Sequence, residues 1–232
     1  MPPAPQTKIN LACGPVFVRG DGWINLDYAA SDAAVTQADL LGKLPLPSNY
    51  AALVYSSHFL EHIPRNRVED FLAECFRILS PGGVLRLVLP DLDNMCRTYL
   101  AHREAGEHDK ANFLVLEMID QCVRRESGGE LGRFYQQVKR DLPASEEIVG
   151  FIRERTGENL SAGPFRRPTT VSGGQVLLGK LSGRLRRLWI RGILRLLPAA
   201  FRTQNVSLAA AGERHHWLWD LEQLRQVLEN VC

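Results

Sequence analysis

The sequence predicts an α/β fold: a doubly wound, mostly parallel sheet with a helical insertion after the fifth strand. Three observations carry this. Up to Asp93, short apolar runs alternate with turn clusters and one strongly periodic helix. The runs end in small or acidic residues (Gly14, Asp27, Asp39, Asp91), where parallel sheets bind ligands. After Asp93 helical periodicity and loop breaks take over, with no convincing strand.

The elements follow in order. Lys8 to Ala12 reads as a strand stopped by Cys13-Gly14-Pro15. Trp23 to Leu26 is a second, ending in Asp27, and Ala34 to Ala38 a weaker third, ending in Asp39. Ala51 to Ser56 is a fourth, after the turn-rich Leu44 to Asn49. A helix over 65–79 places Val68, Phe71, Leu72, Cys75 and Ile78 on one face. Ser80-Pro81-Gly82-Gly83 should stop it, and Val84 to Leu89 forms a fifth strand. Helices are expected over 94–105, 109–126, 131–140, 145–156 and 176–197, with a mobile loop from Gly157 to Gly174. A last helix begins at Asp220, an N-cap with Gln223 three residues on, and runs to Asn230. This divides the chain into a cofactor-binding core (1–93), a helical insertion or cap (94–212) and a return segment with the last core helix (213–232).

Composition excludes whole classes. A chain of 232 residues, 45 % apolar and 23 % charged, is globular rather than disordered or fibrous. A net charge of +2 does not suggest a nucleic-acid partner. The five cysteines form no CxxC pair and fit neither a zinc framework nor a disulfide one, which suits a reduced, cytoplasmic setting. Met1 to Thr7 lacks the pattern of a signal peptide, and arginines interrupt Leu185 to Phe201, the most apolar stretch, so it does not span a membrane.

The most informative segment is Ile9-Asn10-Leu11-Ala12-Cys13-Gly14-Pro15. A buried strand enters a turn of small residues that lets a ligand approach the backbone. Asp27, at the end of the second strand, can accept hydrogen bonds from both hydroxyls of a ribose. With Ala38-Asp39-Leu40, Leu44-Pro45-Leu46-Pro47, Ser56 to Ile63 and Leu79 to Leu87, these pieces occur in an ordered set over residues 8–93. In this the chain resembles the class I S-adenosylmethionine-dependent methyltransferases, and within them the small bacterial type associated with cell-surface glycan synthesis. Gly212-Glu213-Arg214-His215-His216-Trp217-Leu218-Trp219-Asp220 is similar to the segment that follows the insertion in that type.

The resemblance implies a Rossmann-like methyltransferase fold and S-adenosylmethionine as cofactor. Asn10, Ala12, Cys13 and Gly14 would belong to the loop under its methionine part, and Asp27 would hold the ribose. Asp39 and the Leu40 backbone would meet the adenine, and Ser57 and His58 would line the floor near the sulfonium. The chain departs from the family pattern at Ala12 and Pro15, where glycines are frequent. Val16 to Gly22 is too short for a helical crossover, so the first helix should be absent or a single turn and the cofactor more exposed there. Family members continue past the last helix into two more strands. The fifth strand is therefore expected at an exposed edge, with the sequence either a fragment or covered there by the insertion.

Methyl transfer to oxygen calls for a general base. His215, matching the family's histidine before the last helix, is the first candidate, followed by Asp91 and His58; Asp93 is read as an N-cap. His58, Glu61 and His62 fall at i, i+3 and i+4 and would share a helical face suited to zinc or iron. Similar methyltransferases that use such a trio carry a carboxylate at the first position. In the family at large the Leu-Glu-His triplet occurs without metal, so Glu61 and His62 are expected in structural hydrogen bonds and no metal is assigned.

Arg184, Arg187, Arg191 and Arg195 form one stripe of an amphipathic helix over 180–197. It suits a cap helix, a phosphate-bearing acceptor or peripheral contact with the inner membrane face. The expected activity is O-methylation of a sugar or other small acceptor in cell-surface glycan (polysaccharide) biosynthesis. Its partners would be a small-molecule or lipid-linked glycan acceptor and a second copy of the chain as a homodimer. The competing expectation is a non-catalytic methyltransferase-like module within a glycosyltransferase complex. A nicotinamide oxidoreductase is disfavoured because the first turn lacks GxGxxG.

Overall fold

The computed structural model describes residues 7–15, 17–30, 32–141, 145–161, 189–190, 192–207 and 212–231. The chain divides into two compact units, Met1–Val123 with Ala210–Cys232, and Arg124–Ala209.

The first unit holds the sheet. β1 (Lys8–Leu11), β2 (Trp23–Asp27), β3 (Val35–Gln37), β4 (Ala51–Ser57) and β5 (Leu79–Val88) pair in the order β3-β2-β1-β4-β5, all parallel. Of the four connections, among the described residues, only that between β4 and β5 contains an α-helix, α1 (Val68–Ile78). This fits the short first crossover expected from Val16 to Gly22. There the chain turns back through polar contacts: the Lys8 N–H donates to the Gly22 carbonyl at 2.7 Å. Asn25, buried, donates through Nδ2 to the Val18 carbonyl at 3.0 Å.

α1 buries the five residues its periodicity singled out, Val68, Phe71, Leu72, Cys75 and Ile78, against Ile9, Leu11, Leu26 and Val54 of the sheet. Five apolar side chains out of water, at about 1.5–3 kcal/mol each, give this crossover its hold on the sheet.

Two elements differ from expectation. β5 begins at Leu79 rather than Val84, because Leu79 already pairs with Ala51. The register then shifts between Ala51 and Leu53, and Pro81 and Gly82 (φ +78°) are absorbed in that irregularity. Glycine is required at 83, where a Cβ would stand 2.9 Å from the Ala51 carbonyl oxygen. β5 is an outer strand of the sheet, and Val84 is exposed on it.

Beyond the sheet, α2 (Leu92–Glu104) and α3 (His108–Val123) pack together and complete the first unit with α7 (Leu221–Val231). The α2 cap is Asp91, whose Oδ1 accepts from the Asp93 N–H at 3.0 Å. Asp93, expected in that role, instead pairs with Arg97 at 2.7 Å. Asp220 caps α7 as anticipated: its Oδ1 accepts from the Gln223 N–H at 2.7 Å, and Oδ2 from the Gln223 side chain at 3.0 Å.

The second unit contains α4 (Gly129–Arg140), α5 (Glu146–Thr156) and α6 (Ala199–Asn205). Leu131, Val138, Ile148, Ile152 and Leu160 are buried in it. Most of the helix expected over 176–197, with Arg184, Arg187 and Arg191 of its stripe, and most of the loop expected from Gly157 to Gly174 lie outside the described residues. Among the described residues no helix is long and apolar enough to cross a membrane.

Candidate active site

The carboxyl ends of β1, β2 and β4 converge on one edge of the sheet, and the chemistry-bearing residues follow from that. At the end of β1 the backbone turns through left-handed conformations at Ala12 (φ +54°) and Gly14 (φ +60°). Nothing lies within 4 Å of where a Gly14 Cβ would stand, so the turn faces open space. The Gly14 N–H donates to Asp27 Oδ2 at 2.9 Å, and the Ala29 N–H donates to Oδ1 at 2.9 Å. These bonds fix the carboxylate at the end of β2 and leave each oxygen further lone pairs.

Cys13 is buried beside it. Burial, together with the Asp27 charge, pushes its thiol up to about 11, so it sits in the turn as a neutral, packed group. Asn10 is also buried, and its Nδ2 donates to Asn25 Oδ1 at 3.1 Å, which ties β1 to β2. Asp39 follows β3: its Oδ1 accepts from the Leu41 N–H at 3.0 Å, while Leu40 is buried in the core.

At the end of β4 lie Ser57 and His58. His58 takes a left-handed backbone (φ +51°), uncommon for a residue with a Cβ, and its N–H donates to the Val88 carbonyl at 2.8 Å. Strained residues of this kind concentrate at functional sites. Its Nδ1 stands 3.3 Å from Glu61 Oε1. The Glu61 carboxylate raises the His58 pKa above the ordinary histidine value, outweighing the opposing effect of partial burial.

Glu61 and His62 lie in a 3₁₀ turn, Leu60–His62, rather than on an α-helix. The return segment reaches them from far along the chain. The Glu61 carbonyl accepts from the His216 N–H at 2.6 Å and the Trp217 N–H at 3.3 Å. The His215 N–H donates to the Gln121 carbonyl at 3.0 Å, and His62 Nδ1 bonds the Arg214 carbonyl at 2.7 Å. His215, 7 % exposed, therefore meets the His62 ring edge to face, with ring centroids 4.7 Å apart. Asp91 is joined to this segment by backbone, the Leu92 N–H donating to the Trp219 carbonyl at 2.8 Å.

The structure thus gathers Ala12, Cys13, Gly14 and Asp27 at one place, and His58, Glu61, His62 and His215 at another. Sequence reasoning left Glu61 and His62 out of the site, and missed that His215 joins them. Their spacing was visible, but no local signal announces a partner 152 residues away, the separation of the His62–Arg214 bond.

A family model described as a methyltransferase domain matches residues 24–87. The chain is an S-adenosylmethionine-dependent methyltransferase. The match runs from β2 to β5 and contains Asp27, Asp39, Ser57, His58, Glu61 and His62. No curated protein matches the chain. The turn after β1 presents open backbone, a neutral thiol and an anchored carboxylate with lone pairs to spare, chemistry compatible with the hydroxyl-bearing cofactor.

Proposed function

We propose that this methyltransferase transfers its methyl group to a hydroxyl oxygen of a sugar or other small acceptor used in cell-surface glycan synthesis. The observation that supports this best is the docking of 214–217 on Glu61, which brings Trp217 and His215 to the region of His58. Trp217 is exposed, with the Arg65 guanidinium 4.4 Å from its ring centroid and its Nε1 donating to Gln223 at 2.8 Å. A fixed, partly wet indole offers the apolar face and polar tip that suit a sugar ring.

The cofactor, when bound, supplies an electrophilic methyl on sulfur. Ala12, Cys13 and Gly14 would hold its methionine part, Asp27 its ribose, and Asp39 with the Leu40 backbone its adenine. The remaining task is to orient an acceptor hydroxyl and take its proton. We assign the base role to His58. Its side chain is 66 % exposed, whereas His215 is buried with Glu61 and His62 and Asp91 caps α2. A base must be unprotonated to act, so turnover should rise with pH as His58 loses its proton.

The test is release of S-adenosylhomocysteine with a panel of free sugars, nucleotide sugars and lipid-linked glycans, and product analysis to locate the methyl group. Methyl on a glycan oxygen, with the rising pH limb lost in His58→Ala, is the expected result. Methyl found on nitrogen, or turnover confined to another acceptor class, overturns the reading.

A further inference from the structure

We propose that Glu61, His62 and His215 form a binding site for one divalent transition-metal ion of the zinc class. Glu61 is fully buried, and among the described residues neither carboxylate oxygen has a hydrogen-bond partner. Among the described residues its Oε1 has the mostly solvent-exposed His58 ring 3.3 Å away. A buried carboxylate in this condition calls for a positive partner.

The neighbours have the right chemistry. One ligand atom from each of Glu61, His62 and His215 lies within 4.8 Å of the others. The Arg214 carbonyl can only accept, so the 2.7 Å bond puts a hydrogen on His62 Nδ1 and leaves Nε2 with its lone pair in the neutral ring. Metal-binding histidines are oriented in this manner, through the nitrogen that does not meet the ion. His215 is buried, and its backbone is fixed on Gln121.

The return segment is held here by the His62 Nδ1 bond to the Arg214 carbonyl and by main-chain bonds from His216 and Trp217 to the Glu61 carbonyl. These bonds hold a Glu61 carboxylate oxygen and one imidazole nitrogen each of His62 and His215 within 4.8 Å of one another. Two histidines and one carboxylate are a donor set for zinc and its first-row neighbours, with a coordination position left for water or a substrate oxygen. Tetrahedral ligands at about 2.1 Å from an ion stand about 3.4 Å apart, so the cluster closes slightly through side-chain rotation.

The binding claim stands on these side chains alone. Use of the open position to acidify an acceptor hydroxyl rests in addition on the oxygen-methylation reading. The experiment separates the two, because it reads metal binding without turnover. Full-length protein stripped of metal is titrated with Zn²⁺ by calorimetry and with Co²⁺ by visible absorption.

One Zn²⁺ per chain, intense cobalt bands between about 500 and 700 nm, and at least tenfold weaker binding in both His62→Ala and Glu61→Gln are expected. His62 is only partly buried, so His62→Ala keeps the test open if Glu61→Gln does not fold. Absence of binding at millimolar Zn²⁺, or binding unchanged in a folded His62→Ala protein, overturns the proposal. Metal binding with no methylated glycan would leave this site standing and remove the acceptor assignment.

Discussion

Two crossovers of the same sheet solve one geometric problem in opposite ways. Between β4 and β5 the chain climbs through α1, and that connection is held by apolar burial. Between β1 and β2 no helix is present among the described residues, and single polar contacts do the holding: Lys8 to Gly22, Gly14 to Asp27, Asn25 to Val18. The contrast separates stability from binding. A helix on the first crossover would stand beside the open turn at Gly14; without it the backbone there stays accessible to a ligand. The helical crossover carries the cohesion.

The largest expected effect tests the helical side. Phe71→Ala removes a ring that is 2 % exposed and packed edge-on to Phe59 at 5.4 Å between centroids. It should cost about 3–5 kcal/mol in urea unfolding. A loss near zero would mean that α1 is not the anchor.

The next effect tests the polar side. Asp27→Ala should weaken S-adenosylmethionine binding about a hundredfold or more by calorimetry, the loss of hydrogen bonds to a charged acceptor. Unfolding free energy should fall by only about 1 kcal/mol, since the freed Gly14 and Ala29 N–H groups have access to water. Equal losses of both would erase the contrast.

The smallest effect concerns how α1 is fastened to the loop before β4. Glu74 accepts from the Leu44 N–H at 2.6 Å and pairs with Arg77, which also donates to the Leu44 and Leu46 carbonyls. The hydrogen bond from Arg77 leads in holding the Glu74 carboxyl below its ordinary value of 4.5, with the Leu44 N–H adding to it and burial opposing. A depressed folded pKa contributes stability above the unfolded value, and that contribution disappears as pH falls through the folded one. Thermal melts from pH 6 downward should show a shallower acid loss in Glu74→Gln than in the parent. An unchanged slope would place the acid sensitivity elsewhere.

Much of this was legible in the sequence because it is local. The α1 face, the five strands and the Asp220 cap follow from periodicity and capping chemistry that neighbouring residues impose. The start of β5 was not legible, because Ser80-Pro81-Gly82-Gly83 has the chemistry of a stop. Only the pairing of Leu79 with Ala51, supplied by another strand, keeps the segment extended. The cap of α2 shifted from Asp93 to Asp91 for a related reason, since Trp219 pairs with Asp91 and fixes where the helix begins. The site divides along the same line. Asp27 and the turn at Gly14 follow from strand ends. The union of Glu61, His62 and His215 depends on a fold that joins distant segments.

That union also has a consequence in time. Ser56 and Leu11, which link β4 to β1, are 45 residues apart, whereas the His62–Arg214 bond spans 152. Closing the longer loop carries the greater entropic cost and gains nothing until Glu61 is already in place to receive it. On loop length alone, the sheet with its Asp27 carboxylate is expected to form before the histidine cluster. Asp27 and the turn at Gly14 depend on the shorter closures and the cluster of Glu61, His62 and His215 on the longest, so refolding followed at the two places should show the cluster forming later.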